Sequence, residues 1–239
     1  MIERAAAARR AALDSLFIGD QHVSPTPYYQ NTPMLGRLLA EWGEARFTAM
    51  GANIRTRPSA FEEALDIVRR LLAGETVSSS RRFRVAEASL ALGPAEPVEV
   101  WIGASAPPAI DRAARLAEGW IASPGLTREE ARTQADLYRE RCAAYGKEPG
   151  AIVLRRDIYV GESSSEAQAV LQQALSRGYR GMPAEALIAG SVDEVSEQFR
   201  SFAKIGYTEI SVRHLTNDQP KVLGSLERLA AVRAVLAQS

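Results

Sequence analysis

The chain has 239 residues, 46% apolar and 24% charged, which is enough to bury one sizeable α/β core or two smaller ones. Lysine plus arginine equals aspartate plus glutamate at 29 each, so there is no basic excess to recruit nucleic acid or an anionic membrane, and any ligand is held by a local site. The single cysteine, Cys142, excludes an internal disulfide and falls on the apolar face of a predicted helix, where it reads as a packed thiol.

In chain order, Ile2 to Ala12 is rich in alanine and arginine and predicts a helix. Charges run through this segment, it has no apolar core of signal-peptide length, and no later run is long enough to span a bilayer, so a cytoplasmic protein is expected. Leu16-Phe17-Ile18 reads as a buried strand ending at Gly19-Asp20-Gln21-His22. The proline-rich stretch from Ser24 to Pro33 is a loop, and Met34 to Trp42 is helical again. Pro58 opens a helix with Phe61, Leu65, Val68 and Leu72 on one face and Gly74 past its end. Residues 78–92 alternate weakly and predict a hairpin excursion.

The stretch from Val98 to Ser123 organises the rest. Val98, Val100, Trp101 and Ile102 form an apolar run of strand length, closed by the small residues Gly103-Ala104-Ser105. Pro107 and Pro108 suit a first helical turn, and Ile110, Ala113, Ala114 and Ala117 recur at helical spacing. Gly119 ends that helix and Trp120-Ile121-Ala122 begins a second strand. Such a β-α-β unit implies a parallel sheet.

Downstream, Thr127 with Glu130, Ser163 with Glu166 and Ser191 with Glu194 have helix-capping spacing, and each precedes a segment of helical period. Ile152 to Val160 and Glu209 to Arg213 read as strands, and Pro220 to Leu236 as the closing helix. The alternation predicts an α/β protein with a mainly parallel sheet. Five strands are legible, whereas a closed (β/α)-barrel needs eight, so the sheet is open or strands are lacking.

At the carboxyl end of a parallel strand, the amides of the turn and of the following helix converge on a place suited to an anion, most often a phosphate. Gly103 and Ala104 would let a ligand approach the backbone and Ser105 would add a hydroxyl; a plain tight turn is the alternative. The two histidines, His22 and His214, each follow a predicted strand, which in a barrel puts them at the catalytic end, although an ordinary loop histidine fits as well. Asp20 is an acid/base candidate or a turn cap. Arg156 alternates with Ile152, Leu154, Ile158 and Val160, so it shares an apolar face and must find an anion, either a ligand or a structural carboxylate. No Asp/Glu/His cluster has metal-ligand spacing around the histidines, and no serine-hydrolase elbow, Walker loop or full dinucleotide fingerprint is present.

Four blocks, LDSLFIGDQHVSPTPYYQNTPMLGRLLAEW, GEARFTAMGANIRTRPSAFEEALDIVRRLLAGE, VEVWIGASAPPAIDRAARLAEGWIASP and IAGSVDEVSEQFRSFAKIGYTEISVRH, resemble successive blocks of the bacterial luciferase-like monooxygenases. The resemblance implies a (β/α)8 TIM-barrel-like fold as a single domain over residues 1–239. It implies reduced FMN or a deazaflavin as cofactor, a small organic substrate, and a homodimer. It assigns Gly103, Ala104 and Ser105 to the cofactor-phosphate loop. Asp20 and His22 become the catalytic pair, and Gln21 contacts substrate; many relatives have histidine where this chain has Gln21. His214 as a substrate contact and Arg156 as the balancing charge rest on their strand positions and are not carried over from the family. The resemblance also implies counterparts of barrel strands two, five, six, seven and eight and none of one, three and four, with the junction near residues 43–44. A shortened, non-catalytic flavin-binding protein is the rival reading, and a deazaflavin-dependent reductase a third.

Overall fold

The computed structural model describes residues 2–13 and 54–238, which form two compact units, Met1–Leu16 with Glu99–Ser239, and Phe17–Val98. Asp20, Gln21, His22, the strand expected at 16–18, the loop 25–33 and the junction near 43–44 all lie outside the described residues.

The larger unit contains α1 (Ile2–Arg10) and the strands and helices from residue 99 onward. The β-α-β unit is present as β3 (Trp101–Gly103), α3 (Pro107–Leu116) and β4 (Gly119–Ala122); the smaller unit supplies β1, β2 and α2, described below. Val98 is left outside the strand and exposed, so β3 is shorter than the apolar run predicts. There follow α4 (Arg128–Ala144), β5 (Ala151–Val160), α5 (Ser164–Ser176), β6 (Leu187–Gly190), α6 (Val192–Ala203), β7 (Glu209–His214) and α7 (Gln219–Ala237). The capping signals set the helix starts. Thr127 and Ser191 each close a reciprocal capping box with the glutamate three residues on, while Ser163 accepts from the Glu166 amide alone. In that last case the Glu166 carboxylate is spent on the Glu162 amide and the Tyr159 hydroxyl.

All the pairings among β3 to β7 are parallel. Val153 is flanked by Ile121 and Glu209, and Asp157 by Leu187 and Arg213. A strand residue has only two sides, so β7 takes one edge of β5 while β4 and β6 share the other, one along each half of this ten-residue strand. Strand β6 is an addition to the sequence reading, because Leu187 to Gly190 is only four residues long and its run looks like the approach to the Ser191 cap.

Alternation along the strands, carried across by register, separates two faces. Ile102, Trp120, Ala122, Ile152, Leu154, Arg156 and Ile158 share a buried face packed by helices: Trp120 stacks on Tyr138 of α4 at 5.2 Å between ring centroids. The opposite face carries Trp101, Gly103, Ile121, Val153, Arg155 and Asp157, continued by Ser211 and Arg213 on β7. Where β5 nears its end, this face is covered by a cluster of Tyr159, Ala167, Val170, Leu187, Ala189 and Leu215.

The smaller unit contributes α2 (Arg57–Leu72), with Pro58 in its first turn, and an antiparallel pair of β1 (Val77–Ser79) and β2 (Val85–Ala88). Glu63 on α2 ties this pair down by accepting from the Ser79 hydroxyl and the Arg82 and Phe83 amides. The inward side of α2 is the one bearing Ile67, whereas Phe61 and Val68 stay exposed.

Candidate functional site

The turn after β3 is built by its neighbours. The Ala104 amide donates to the Ile121 carbonyl at 3.1 Å, extending the ladder, and the Ala104 carbonyl accepts from the Trp120 indole Nε1 at 2.9 Å. Both backbone groups of Ala104 are therefore spent on holding the turn, which puts Ser105 beyond the end of the strand with its side chain exposed. Trp120 was legible in sequence only as a strand residue; its role as the peg of this turn comes from an indole N–H that, once buried, must find an acceptor.

The helix that follows donates less than a typical helix N-terminus. Pro107 and Pro108 have no N–H, and the Ala109 and Ile110 amides both point back to the Ala106 carbonyl, at 2.8 and 3.0 Å. What remains is the Ser105 hydroxyl and the amides of Ser105 and Ala106, neither of which has a backbone partner among the described residues. A Cβ built at Gly103 would meet nothing nearer among the described residues than the Ile121 carbonyl at 4.0 Å, so none of them blocks the approach to the turn. Three donors beside an open glycine fit one phosphate group.

Arg156 is fully buried, as its alternation predicted, and its guanidinium is occupied by the protein itself. Nη1 donates to the Pro124 carbonyl at 2.9 Å and Nη2 to the Leu126 carbonyl at 2.8 Å, while the Phe202 ring lies 4.7 Å from the guanidinium carbon. It thus clamps the loop leaving β4, with carbonyl dipoles and a π face in place of the anion expected from sequence. Burial pulls its pKa down to about 10, partly offset by Tyr207 and Asp157, and it stays cationic at neutral pH.

His214 ends β7 in register with Ile158, on the same face as Arg156 and opposite to the face of Arg155 and Asp157. Its Nε2 is buried without a hydrogen-bond partner, and burial, with a smaller push from Arg4 of α1, lowers its pKa to about 4. The structure therefore separates His214 from Ser105, and at neutral pH the imidazole is uncharged.

Asp157, which strand alternation places on the face opposite Arg156, is not among the site residues expected from sequence. It is fully buried; Oδ1 accepts from Arg155 Nη2 at 3.1 Å, and Oδ2 accepts from the Tyr179 hydroxyl at 2.7 Å and from Arg180 Nη1 at 3.1 Å. Tyr179, half-buried and bonded to this carboxylate, has its pKa pushed up to about 12. The signal was the Arg155-x-Asp157 spacing, which puts both side chains on one strand face. Among the described residues no group of three His, Cys, Asp or Glu side chains is placed to hold a metal ion, and no helix is long and apolar enough to cross a membrane.

The luciferase-like monooxygenase family profile matches residues 34–187. An F420-dependent hydroxymycolic acid dehydrogenase of Mycobacterium tuberculosis is 29% identical over 120 residues, covering 49% of this chain and 33% of that enzyme, so the match takes in about a third of the relative's length. Among solved structures, EDTA monooxygenase from Chelativorans sp. BNC1 superposes with a TM-score of 0.72 at 14% identity, over 98% of this chain and 86% of that one. The monooxygenase RslO1 from Streptomyces bottropensis gives 0.68 at 20% identity, over 82% and 66% respectively. An F420-dependent secondary alcohol dehydrogenase gives 0.65 at 12%, over 83% and 65%. These likenesses establish the fold as that of the luciferase-like barrels, with a sheet that is not closed among the described residues. With the family profile covering most of its length, the chain belongs to the luciferase-like monooxygenase family.

Proposed function

We propose that this chain is an oxidoreductase that binds reduced FMN, or a deazaflavin in its place, and acts on a small organic substrate. The observation that carries the reading is the turn at Gly103-Ala104-Ser105: an exposed serine hydroxyl and two amides without a backbone partner among the described residues, at the carboxyl end of a parallel strand, pegged in place by Trp120. Ser105 and the Ser105 and Ala106 amides hold the cofactor phosphate, and Gly103 leaves room for it. When bound, the reduced ring supplies the electrons for oxygenation or hydride transfer. Arg156 acts at one remove, fixing the loop 124–126 beside the neighbouring strand end. Asp20, His22 and Gln21 take their catalytic and substrate-contacting parts from the family resemblance, and His214, neutral and on the other face, contributes through packing.

A titration of the purified chain with FMN, read by quenching of flavin fluorescence, tests this. Saturable binding that Ser105→Asp weakens at least tenfold supports the phosphate assignment, because a carboxylate would face the phosphate across the same amides. Unchanged affinity in that variant removes it. A parallel titration with the deazaflavin cofactor decides between the two rings. Light scattering of the same sample tests the homodimer, expected at twice the 26.0 kDa chain mass.

The alternative, a flavin-binding protein without turnover, is favoured by the open sheet, in which five parallel strands stand among the described residues where a closed barrel has eight. Steady oxygen consumption with reduced flavin and substrate would exclude it.

A further inference from the structure

The sheet face bearing Arg155 and Asp157, opposite that of Arg156, carries a local excess of positive charge. Three arginines surround Asp157. Arg155 lies two residues before it on β5, Arg180 reaches it from the turn after α5, and Arg213 stands beside it across the β5–β7 ladder. The nearest further acid on that strand face, Glu209, lies opposite Val153 at the other end of β7, about 13 Å along the strand from Arg213 at some 3.3 Å per residue. Among the described residues of this strand face, one carboxylate among three guanidiniums leaves two charges locally unbalanced.

Asp157 itself is nearly saturated, since three of the roughly four acceptor positions of a carboxylate are filled. Arg155 and Arg180 each give it one N–H, and a guanidinium has five. The side chains of Arg155 and Arg180 are half-exposed and Arg213 is exposed, so donors beyond those given to Asp157 are left for a ligand among the described residues. Arg213 has neither a hydrogen bond nor an ion pair among the described residues, yet it is close enough to Tyr179 to favour the charged form of its phenol.

The backbone adds an independent sign. Arg180 adopts φ 50, ψ 18, between Gly178 at φ 65 and Gly181 at φ 66. A left-handed arginine is strained, and such strain persists where the surroundings over-determine it, most often at binding sites. Here it directs Arg180 onto the Asp157 carboxylate.

We propose that Arg155 and Arg180, oriented by Asp157, form with Arg213 a second oxyanion site on this face, which takes the phosphate, sulfonate or carboxylate group of a small molecule by charge-assisted, fork-shaped hydrogen bonds. It is separate from the turn at Ser105, because β4 intervenes between β3 and β5 and two strand spacings amount to about 10 Å. The site stands on this unit alone and does not depend on which cofactor the chain binds.

Thermal melting of the full chain with inorganic phosphate, at constant ionic strength made up with sodium chloride, tests the site. The expected result, read in a Ser105→Asp background so that the turn at Ser105 contributes no phosphate binding, is a saturable rise in Tm that adding Arg213→Ala abolishes or weakens at least fivefold. Arg180→Ala should do the same, and Arg213, being exposed, keeps the test readable if that variant unfolds. No phosphate-specific rise in the Ser105→Asp background would overturn the proposal, as would a rise kept in full once Arg213→Ala is added. Titrating Arg213→Ala with FMN and with riboflavin then separates the sources. Unchanged affinity for both means that the site serves a substrate anion; a tenfold loss confined to FMN means that it holds the cofactor phosphate. The melting experiment needs no flavin, so failure of flavin binding leaves it interpretable.

Discussion

Arg156 and His214 occupy the same helix-packed face, and each is a polar residue whose cost of burial is met differently. Arg156 gives its two terminal nitrogens to two carbonyls and its π face to Phe202; only Nε is left over. Lysine at this position offers a single point charge that cannot span both carbonyls or stack. Arg156→Lys is therefore expected to destabilise the chain by about 2 kcal/mol, through one carbonyl left buried and unpaired. Urea unfolding would measure this, with faster amide exchange confined to residues near 124–127. His214 is depressed from 6.5 to about 4, chiefly by burial and secondly by Arg4, so the unfolded chain takes up a proton at a higher pH than the folded one does. Stability is thus full above about pH 6.5 and falls as the pH drops towards 4, by up to roughly 3 kcal/mol. His214→Gln should flatten this slope in a series of urea curves from pH 7 to 4; an unaltered slope would assign it to other groups.

Among the elements, the join of β4 and β5 has the least tolerance. A Cβ at Gly150 would run into the carbonyl oxygen of Glu118, a backbone atom that can move only by shifting the start of β4. Gly150→Ala is expected to lower stability by about 2–3 kcal/mol, as over-packing against backbone does, and calorimetry would show it as a lower Tm. Trp120 links strand packing to the site. Trp120→Phe keeps an aromatic ring against Tyr138 but removes the donor to the Ala104 carbonyl. The expected loss is about 1–2 kcal/mol of stability together with a several-fold weaker FMN affinity, because the turn then has one tether in place of two. Equal flavin affinity in a folded variant would show that the turn is held without the indole.

For the whole molecule, equal numbers of acidic and basic groups place the isoelectric point at about 6.8. Long-range self-repulsion vanishes there, so association through specific surfaces meets the least opposition near neutral pH. The second virial coefficient from light scattering should pass through its minimum near pH 7 and rise towards pH 8.5. The balance also sharpens the significance of the Arg155–Arg180–Arg213 cluster: an excess of positive charge on one face of a neutral chain is a local feature and attracts an anion only there.

The alternation of strands and helices, the helix caps at Thr127, Ser163 and Ser191, and the small-residue turn at 103–105 were determined by the sequence alone, because periodicity, capping and turn chemistry act over three or four residues. The family followed from the same blocks. Burial of Arg156 was legible too, since a residue two positions from apolar neighbours on a strand shares their face. The partner of Arg156, the side of the sheet that His214 faces, the peg supplied by Trp120 and the convergence of three arginines on Asp157 were decided only by the tertiary structure. Apart from the Arg155–Asp157 pair, each joins residues between 16 and 56 positions apart, and their meeting depends on the order and register of the parallel strands. That register is a property of the packed sheet, in which hydrogen bonds to both neighbours and burial against the helices are satisfied together, and no local stretch of chain encodes it.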